Sequence, residues 1–305
     1  MNAIEVTTVT KRYGDVVALD EISLAIQPGE IFGVLGPNGA GKTTLIEIIE
    51  GLRYADDGQV RVLGRDPEND GAYLRQRVSI AMQKTSLPPR VTVHEIVRLY
   101  ASIYGYPGAA VPAIAKAGLE EKSGAKLQTL SGGQLQRLTV ALATIGQPEL
   151  VLMDEPTSEL DPQGRRYVWD MIREKIADRR TTFLLTTHMM DEAQRLCDRV
   201  AIIDHGRIAA IGTPNELIAR HAPEKVVTLT QTHGHGIAKI EGLNVQSFAT
   251  EIGTQTIVRT SNLPATLRQI AELESLDELR FDGMNVTDST LEDVFLTLTG
   301  REVRS

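Results

Sequence analysis

The chain has 305 residues, of which 42% are hydrophobic and 24% charged, and a formal net charge of −8. That length accommodates two domains or one large one, and the acidic balance argues against nucleic acid or an anionic membrane surface as the main partner. A single cysteine, Cys197, excludes a disulfide framework or a cysteine-held metal cluster and suits a reducing cytosol.

The opening Met1-Asn-Ala-Ile-Glu-Val enters a strand-like pattern with no signal peptide, and no apolar run approaches membrane-spanning length. The expected setting is therefore the cytoplasm. Residues 4–9 and 22–26 read as strands, and Pro28-Gly29 turns the chain into the apolar run 31–35. There follows Gly36-Pro37-Asn38-Gly39-Ala40-Gly41-Lys42-Thr43-Thr44, opening into a helical 45–49. Strand, glycine-rich turn and helix are what a phosphate-binding loop requires. Glycines let consecutive N–H groups point at a phosphate, and the helix adds its positive dipole end. Lys42 is expected to reach the β- and γ-phosphates of a nucleoside triphosphate, and the Thr43 hydroxyl to ligate Mg²⁺. Upstream, Tyr13 offers an aromatic face on which an adenine could stack.

Beyond the loop, 58–64 and 77–83 read as strands, with Gln83 at the end of the second and Pro88-Pro89 breaking the chain after it. Val93, Ile96, Val97, Tyr100 and Ile103 share one helix face, and the Gly/Pro/Ala-rich 105–118 interrupts the pattern. Residues 84–129 are thus expected to be a small helical insertion. Ser131-Gly132-Gly133-Gln134 precedes another helix, with Ser131 as its N-cap. Leu150–Asp154 is a buried strand ending in carboxylates: Asp154 suits a Mg²⁺ ion or its waters, and Glu155 can polarise a water. A helix (162–178), a strand (181–186) and His188 come next. A histidine following a parallel strand stands on the side where α/β proteins bind ligands, which favours a functional role. Residues 200–208 read as a hairpin, and 215–219 closes the domain.

Residues 221–305 change character. Strands are expected at 225–230, 237–241 and 256–260, and a helix at 264–274. Leu291, Val294, Phe295 and Leu298 line one face of a final helix. From residue 222 on there are seven basic against twelve acidic residues, which does not suit a nucleic-acid module. His233 and His235 on a glycine loop, without a third ligand nearby, read as exposed polar residues rather than a metal site.

Together these motifs resemble the ATP-binding cassette (ABC) family over residues 4–220. Gly36–Thr43 matches its phosphate loop, Gln83 its Q-loop glutamine, and Leu130-Ser131-Gly132-Gly133-Gln134 its signature sequence. Leu150–Asp154 with Glu155, the segment Ser158-Glu159-Leu160-Asp161, and His188 match the remaining motifs in the family's order. Glu159 stands where the family usually has glycine, placing bulk and charge at a subunit contact. The ending from Leu291 to Glu302 resembles the tail of cassettes from bacterial drug exporters of the daunorubicin-resistance type.

The resemblance implies an α/β P-loop NTPase cassette, residues 1–220, with a helical subdomain at about 84–129 and an antiparallel β subdomain. Residues 221–305 would form a small accessory α+β domain. It implies ATP and Mg²⁺, with Thr43, Asp154 and Gln83 around the metal, Glu155 as base and His188 on the γ-phosphate. Ser131–Gln134 would contact ATP held by a second cassette, most simply in a homodimer, with Ser158–Asp161 at the dimer contact. A separate integral-membrane permease, docking on 84–129, would hold the cassette at the cytoplasmic face of the membrane. Export of drugs, lipids or other hydrophobic compounds is the expected task. The rival class, a soluble mechanical ATPase acting on nucleic acid or ribosomes, typically carries paired cassettes, long coiled coils or basic insertions, and none is found here.

Overall fold

The structure, a computed structural model, describes residues 1–81, 87–177, 179–230, 244–250 and 253–300. The chain divides into two compact units, Met1–Pro214 and Asn215–Ser305. The first begins with β1 (Ile4–Tyr13) and β2 (Val16–Ile26), then β3 (Ile31–Leu35), the phosphate-loop stretch and α1 (Lys42–Ile49). Next come β4 (Asp57–Val62), α2 (Gly71–Leu74) and β5 (Val78–Ala81), followed by the helices α3 (Val93–Ile103), α4 (Ala110–Lys116) and α5 (Gly132–Thr144). The unit continues through β6 (Leu150–Asp154), α6 (Pro162–Ile176), β7 (Thr182–Thr187) and α7 (Met190–Leu196), and ends in the hairpin of β8 (Arg199–Asp204) and β9 (Arg207–Gly212).

Six strands form one sheet in the order β5-β6-β7-β3-β8-β9, parallel except for the β8–β9 hairpin. Its central strands β3 and β7 are buried at every residue, as expected of parallel strands covered on both faces. Register positions the chemistry. Leu35 pairs with Thr187, and Asp154 with Thr186, so β3, β6 and β7 end level with one another. The loops that leave those carboxyl ends are where ligands bind in an open α/β sheet. A second, antiparallel sheet, β2-β1-β4, shares an apolar core with α1 and the larger sheet.

The helical insertion has its own core, in which Val93, Ile96 and Val97 meet Leu119, Leu127, Leu138 and Leu142. Two expectations need correcting. Ile103 is 67% exposed, because α3 ends there and Ala101 takes the buried position instead. The stretch 105–118 is not a mere break: its alanines form α4, burying Ala110, Ala113 and Ile114. Helix propensity outweighs the flanking Gly105, Pro107 and Gly108.

In the second unit, entered through α8 (Pro214–His221), four strands pair antiparallel in the order β11-β12-β10-β13. They are β10 (Lys225–Thr230), β11 (Asn244–Thr250), β12 (Gly253–Thr260) and β13 (Gly283–Asp288). α9 (Leu263–Ser275) lies between β12 and β13 in sequence, and its Ile270 packs on Val227, Leu229 and Val258. In α10 (Leu291–Thr299), Leu291, Val294 and Phe295 are buried as anticipated and Leu298 is half-buried. In β13 the two large apolar side chains, Met284 and Val286, are both exposed. The strand expected at 237–241 and the His233/His235 pair lie outside the described residues, as does Gln83. Among the described residues no helix is long and apolar enough to cross a membrane.

Candidate functional site

The loop between β3 and α1 is shaped by backbone contacts that only glycine permits. A Cβ on Gly36 would lie 2.3 Å from the Ile203 carbonyl oxygen, and one on Gly41 2.4 Å from that of Ala18. Gly41 also sits at φ +105°, in the left-handed region, and serves as the N-cap of α1 without a side chain to occupy the helix end. The N–H groups of the first turn therefore face a cleft of about 450 Å³ lined by Tyr13, Asn38, Gly39, Gly41, Lys42, Thr43, Thr44 and Glu155. Pro37 and Ala40 close the loop on itself: Ala40 N–H donates to the Pro37 carbonyl at 3.2 Å, and Ala40 is buried. Tyr13 is 40% exposed at the rim, with the Arg53 guanidinium 5.3 Å and the Lys11 ammonium 5.7 Å from its ring centroid.

Lys42 is 5% exposed. Its ammonium donates to the Gly36 carbonyl at 2.9 Å and the Pro37 carbonyl at 3.2 Å, and lies 3.2 Å from Glu155 Oε1. Three oxygens thus fix the lysine head inside the curl of the loop. Glu155 Oε2 in turn is 3.2 Å from His188 Nδ1, a contact without the alignment of a hydrogen bond. Lysine, glutamate and histidine, predicted from three separate motifs, are brought together.

Glu155 adopts φ +47°, rare for a residue with a side chain and typical of strained positions at functional sites. Its N–H donates both to the Thr186 carbonyl at 3.2 Å and to the Thr186 hydroxyl at 3.0 Å. The same hydroxyl donates to Asp154 Oδ1 at 2.5 Å. Thr186 therefore orients both carboxylate residues. Sequence reading missed it, although its place directly opposite Asp154 follows from pairing two adjacent strands.

Asp154 Oδ2 accepts from the Thr43 hydroxyl at 3.2 Å. Among the described residues no three histidine, cysteine or acidic side chains gather as a metal cage. That does not exclude Mg²⁺, which is held by one or two carboxylate or hydroxyl oxygens together with substrate phosphates and waters. The oxygen donors of Thr43 and Asp154, already adjacent, fit that requirement.

The signature lies elsewhere. Ser131 caps α5 as expected, its hydroxyl accepting from Gln134 N–H at 3.3 Å while Gln134 Oε1 accepts from Ser131 N–H at 3.1 Å. Ser131, Gly133 and Gln134 line a second cleft, of about 270 Å³, with Arg137, Asp161, Gln163, Gly164 and Tyr167. Gly132, exposed, is the first residue of α5. None of the residues lining the first cleft recurs in the second. In the segment between them, the Ser158 hydroxyl donates to the Glu155 carbonyl at 3.2 Å and Leu160 is buried. Asp161 caps α6 through Gly164 N–H at 2.7 Å. Glu159, which replaces the family's glycine, is exposed and points its charge outward.

Comparison with known proteins extends this geometry. A family profile for ABC transporters matches residues 19–158. The chain is 38% identical over 308 residues to Nod factor export ATP-binding protein I of Burkholderia lata, covering 99% of this chain and 98% of that protein. The chain belongs to the ABC transporter family. The protein of the same name from Ralstonia nicotianae is 37% identical over 311 residues, 99% of this chain and 95% of the relative. Among solved structures, an ATP-binding subunit of an ABC transporter superposes with a TM-score of 0.66 at 27% identity, covering 72% of this chain and 92% of its own. A dimeric cassette in a post-hydrolysis state with ADP and Pi gives 0.62 at 25% identity, covering 69% and 98%. The cassette is an ATP-binding, ATP-hydrolysing transport subunit, using ATP with Mg²⁺, and such subunits dimerise and work with membrane permeases.

Proposed function

We propose that this cassette energises export through a separate integral-membrane permease at the cytoplasmic face of the cell membrane, its cargo being drugs, lipids or other hydrophobic compounds. The observation that carries the reading is the Lys42–Glu155–His188 cluster at the mouth of the phosphate loop, with both contacts to Glu155 at 3.2 Å. Relatives named for Nod factor export, matching across 99% of the chain, support export over import.

ATP sits on Gly36–Thr44 with its adenine against Tyr13. The first-turn N–H groups of α1 and Lys42 take the phosphates, and Thr43 and Asp154, with Gln83 as the family resemblance implies, would hold a Mg²⁺ that would neutralise phosphate charge. Water attacks the γ-phosphorus in line, and the protein's work is orientation and charge neutralisation. Glu155 accepts the water's hydrogen bond and then its proton, while His188 holds the γ-phosphate. Ser131–Gln134, three of which line a cleft apart from the phosphate loop, serve ATP bound to a partner cassette on this reading, in a head-to-tail dimer touching through Ser158, Glu159, Leu160 and Asp161. The helical insertion, about 84–129, meets the permease. Residues 221–305 form an accessory domain for dimerisation or regulation.

Glu155→Gln tests the assignment. It keeps the shape of the side chain but removes its basicity, so it should bind Mg–ATP, hydrolyse it about 10²- to 10⁴-fold more slowly, and accumulate as an ATP-bound dimer on size-exclusion chromatography. Near wild-type turnover would sink it.

A further inference from the structure

One charged group buried in the first unit takes no part in the site described so far. Glu192, on α7, is 1% exposed. An isolated buried carboxylate is costly, and this one is retained by two hydrogen-bond donors. Oε1 accepts from the Thr157 hydroxyl at 2.6 Å and from the Trp169 indole N–H at 2.9 Å, and the Thr187 hydroxyl stands near enough to favour the charged form.

These donors come from the segments that matter for hydrolysis. Thr157 lies between Glu155 and Ser158, two residues past the base and at the entry to the dimer-contact segment. Its carbonyl accepts from Leu160 N–H at 3.1 Å. Thr187 directly precedes His188, and its hydroxyl accepts from Met189 N–H at 2.9 Å, so both neighbours of the histidine are tied to the same network. Trp169 is the rigid support from α6. A second, outer bridge joins the same segments: Arg165 donates to the Leu160 carbonyl at 3.1 Å, and its guanidinium lies 3.8 Å from the Met189 sulfur.

We propose that Glu192 is a positioning residue for ATP hydrolysis, a buried clamp that fixes the His188 turn and the 157–160 segment in one register. Movement of the dimer-contact segment when two cassettes close is thereby transmitted to His188. The clamp rests on the reading of Glu155 and His188 given above. Burial pushes the Glu192 carboxyl up from its ordinary range while its donors pull it down, so replacing the carboxylate with an amide keeps the volume and changes the network. In Glu192→Gln the Oε1 acceptor can be kept for Thr157 and Trp169, but the negative charge is gone and the second oxygen, an acceptor, becomes a nitrogen donor.

The test uses the full-length chain. Glu192→Gln, Thr157→Val, His188→Ala and Glu155→Gln are compared for kcat, KM for Mg–ATP, and thermal unfolding. The expected result for Glu192→Gln and Thr157→Val is a kcat about tenfold or more below wild type, the scale of a small misplacement of reacting groups, with KM within twofold. Trp169 is the sole tryptophan, so its emission should also shift in Glu192→Gln, where the oxygen it donates to changes from carboxylate to neutral amide. A kcat within twofold of wild type in both clamp variants overturns the proposal, as does a parallel loss of nucleotide affinity and folding, which marks a merely structural role. Should Glu192→Gln fail to fold, Thr157→Val decides alone. Wild-type turnover in His188→Ala and Glu155→Gln would instead overturn the site reading beneath it.

Discussion

Thr186→Val is the sharpest probe of how the carboxylates are held. Valine matches threonine in shape at this fully buried position, so the change removes a hydroxyl and leaves packing nearly intact. Two hydrogen bonds go: the donation to Asp154 Oδ1 at 2.5 Å and the acceptance from Glu155 N–H at 3.0 Å. Their fates differ. Glu155 N–H retains the Thr186 carbonyl at 3.2 Å, so it is not orphaned. Asp154 loses a charge-assisted bond and, among the described residues, keeps the Thr43 hydroxyl on its other oxygen, which leaves a partly buried carboxylate freer to rotate. The loss of a hydrogen bond to a charged group costs about 1.5–3 kcal/mol in folding stability. The functional cost should be larger relative to its size, because groups that orient a metal-binding carboxylate typically contribute about 10- to 100-fold in activity. Denaturant unfolding measures the first quantity, and phosphate release at saturating Mg–ATP the second. A variant that folds normally and turns over within twofold of wild type would refute the orienting role of Thr186.

Lys42→Ala removes the ammonium shared by Gly36, Pro37 and Glu155, and nucleotide affinity should fall by about 30- to 150-fold, the equivalent of a 2–3 kcal/mol charge-assisted contact, measured by calorimetry with Mg–ATP. Normal binding there would show that the loop does not hold the phosphates. Glu50 gives a pH prediction: burial first, then the charges of Asp154 and Glu47, push its carboxyl from 4.5 to about 7. A raised carboxyl pKa means that the folded chain holds its proton more tightly than the unfolded one. The stability it contributes is therefore present below pH 4.5 and lost as pH rises towards about 7, a difference of about 1–3 kcal/mol. Glu50→Gln should accordingly be more stable than wild type near pH 8 and indistinguishable near pH 4, and equal stability curves at both ends would refute it.

Much of the first unit was legible because its signals are local. A fully apolar strand, a glycine-rich turn and an N-capping serine each act within a few residues, and β3, the loop and the Ser131 cap of α5 fall where those signals lie. What was not legible depends on distant pairing. Thr186 is an unremarkable threonine until strand register sets it opposite Asp154, and Glu192 looks like an exposed helix residue until Thr157 and Trp169 close over it. α4 was obscured for another reason: its alanines carry helix propensity but almost no amphipathic pattern, and glycine and proline flank them. β13 was missed because its alternation is short, with only Met284 and Val286 apolar, and both of them are exposed rather than set in the core.

The lysine contacts also bear on the proposed two-cassette site. The Lys42 ammonium donates to two carbonyls and lies 3.2 Å from Glu155 Oε1 as an ion pair. A phosphate entering the loop competes for the same donors, and oxyanion acceptors form stronger, shorter bonds than neutral carbonyls do. The exchange draws Lys42 towards phosphate and away from the Glu155 carboxylate, while His188 lies 3.2 Å from the other Glu155 oxygen. Nucleotide in the loop does not by itself bring in Ser131, Gly133 and Gln134, which line a cleft sharing no residue with the first. On the proposed mechanism, fast turnover requires both occupancy of the loop and apposition of a second cassette. On this reasoning Ser131→Arg, which blocks apposition but leaves the loop untouched, should keep Mg–ATP affinity within twofold and lose about tenfold or more in turnover. Equal losses in both would mean that the signature serves its own chain's nucleotide.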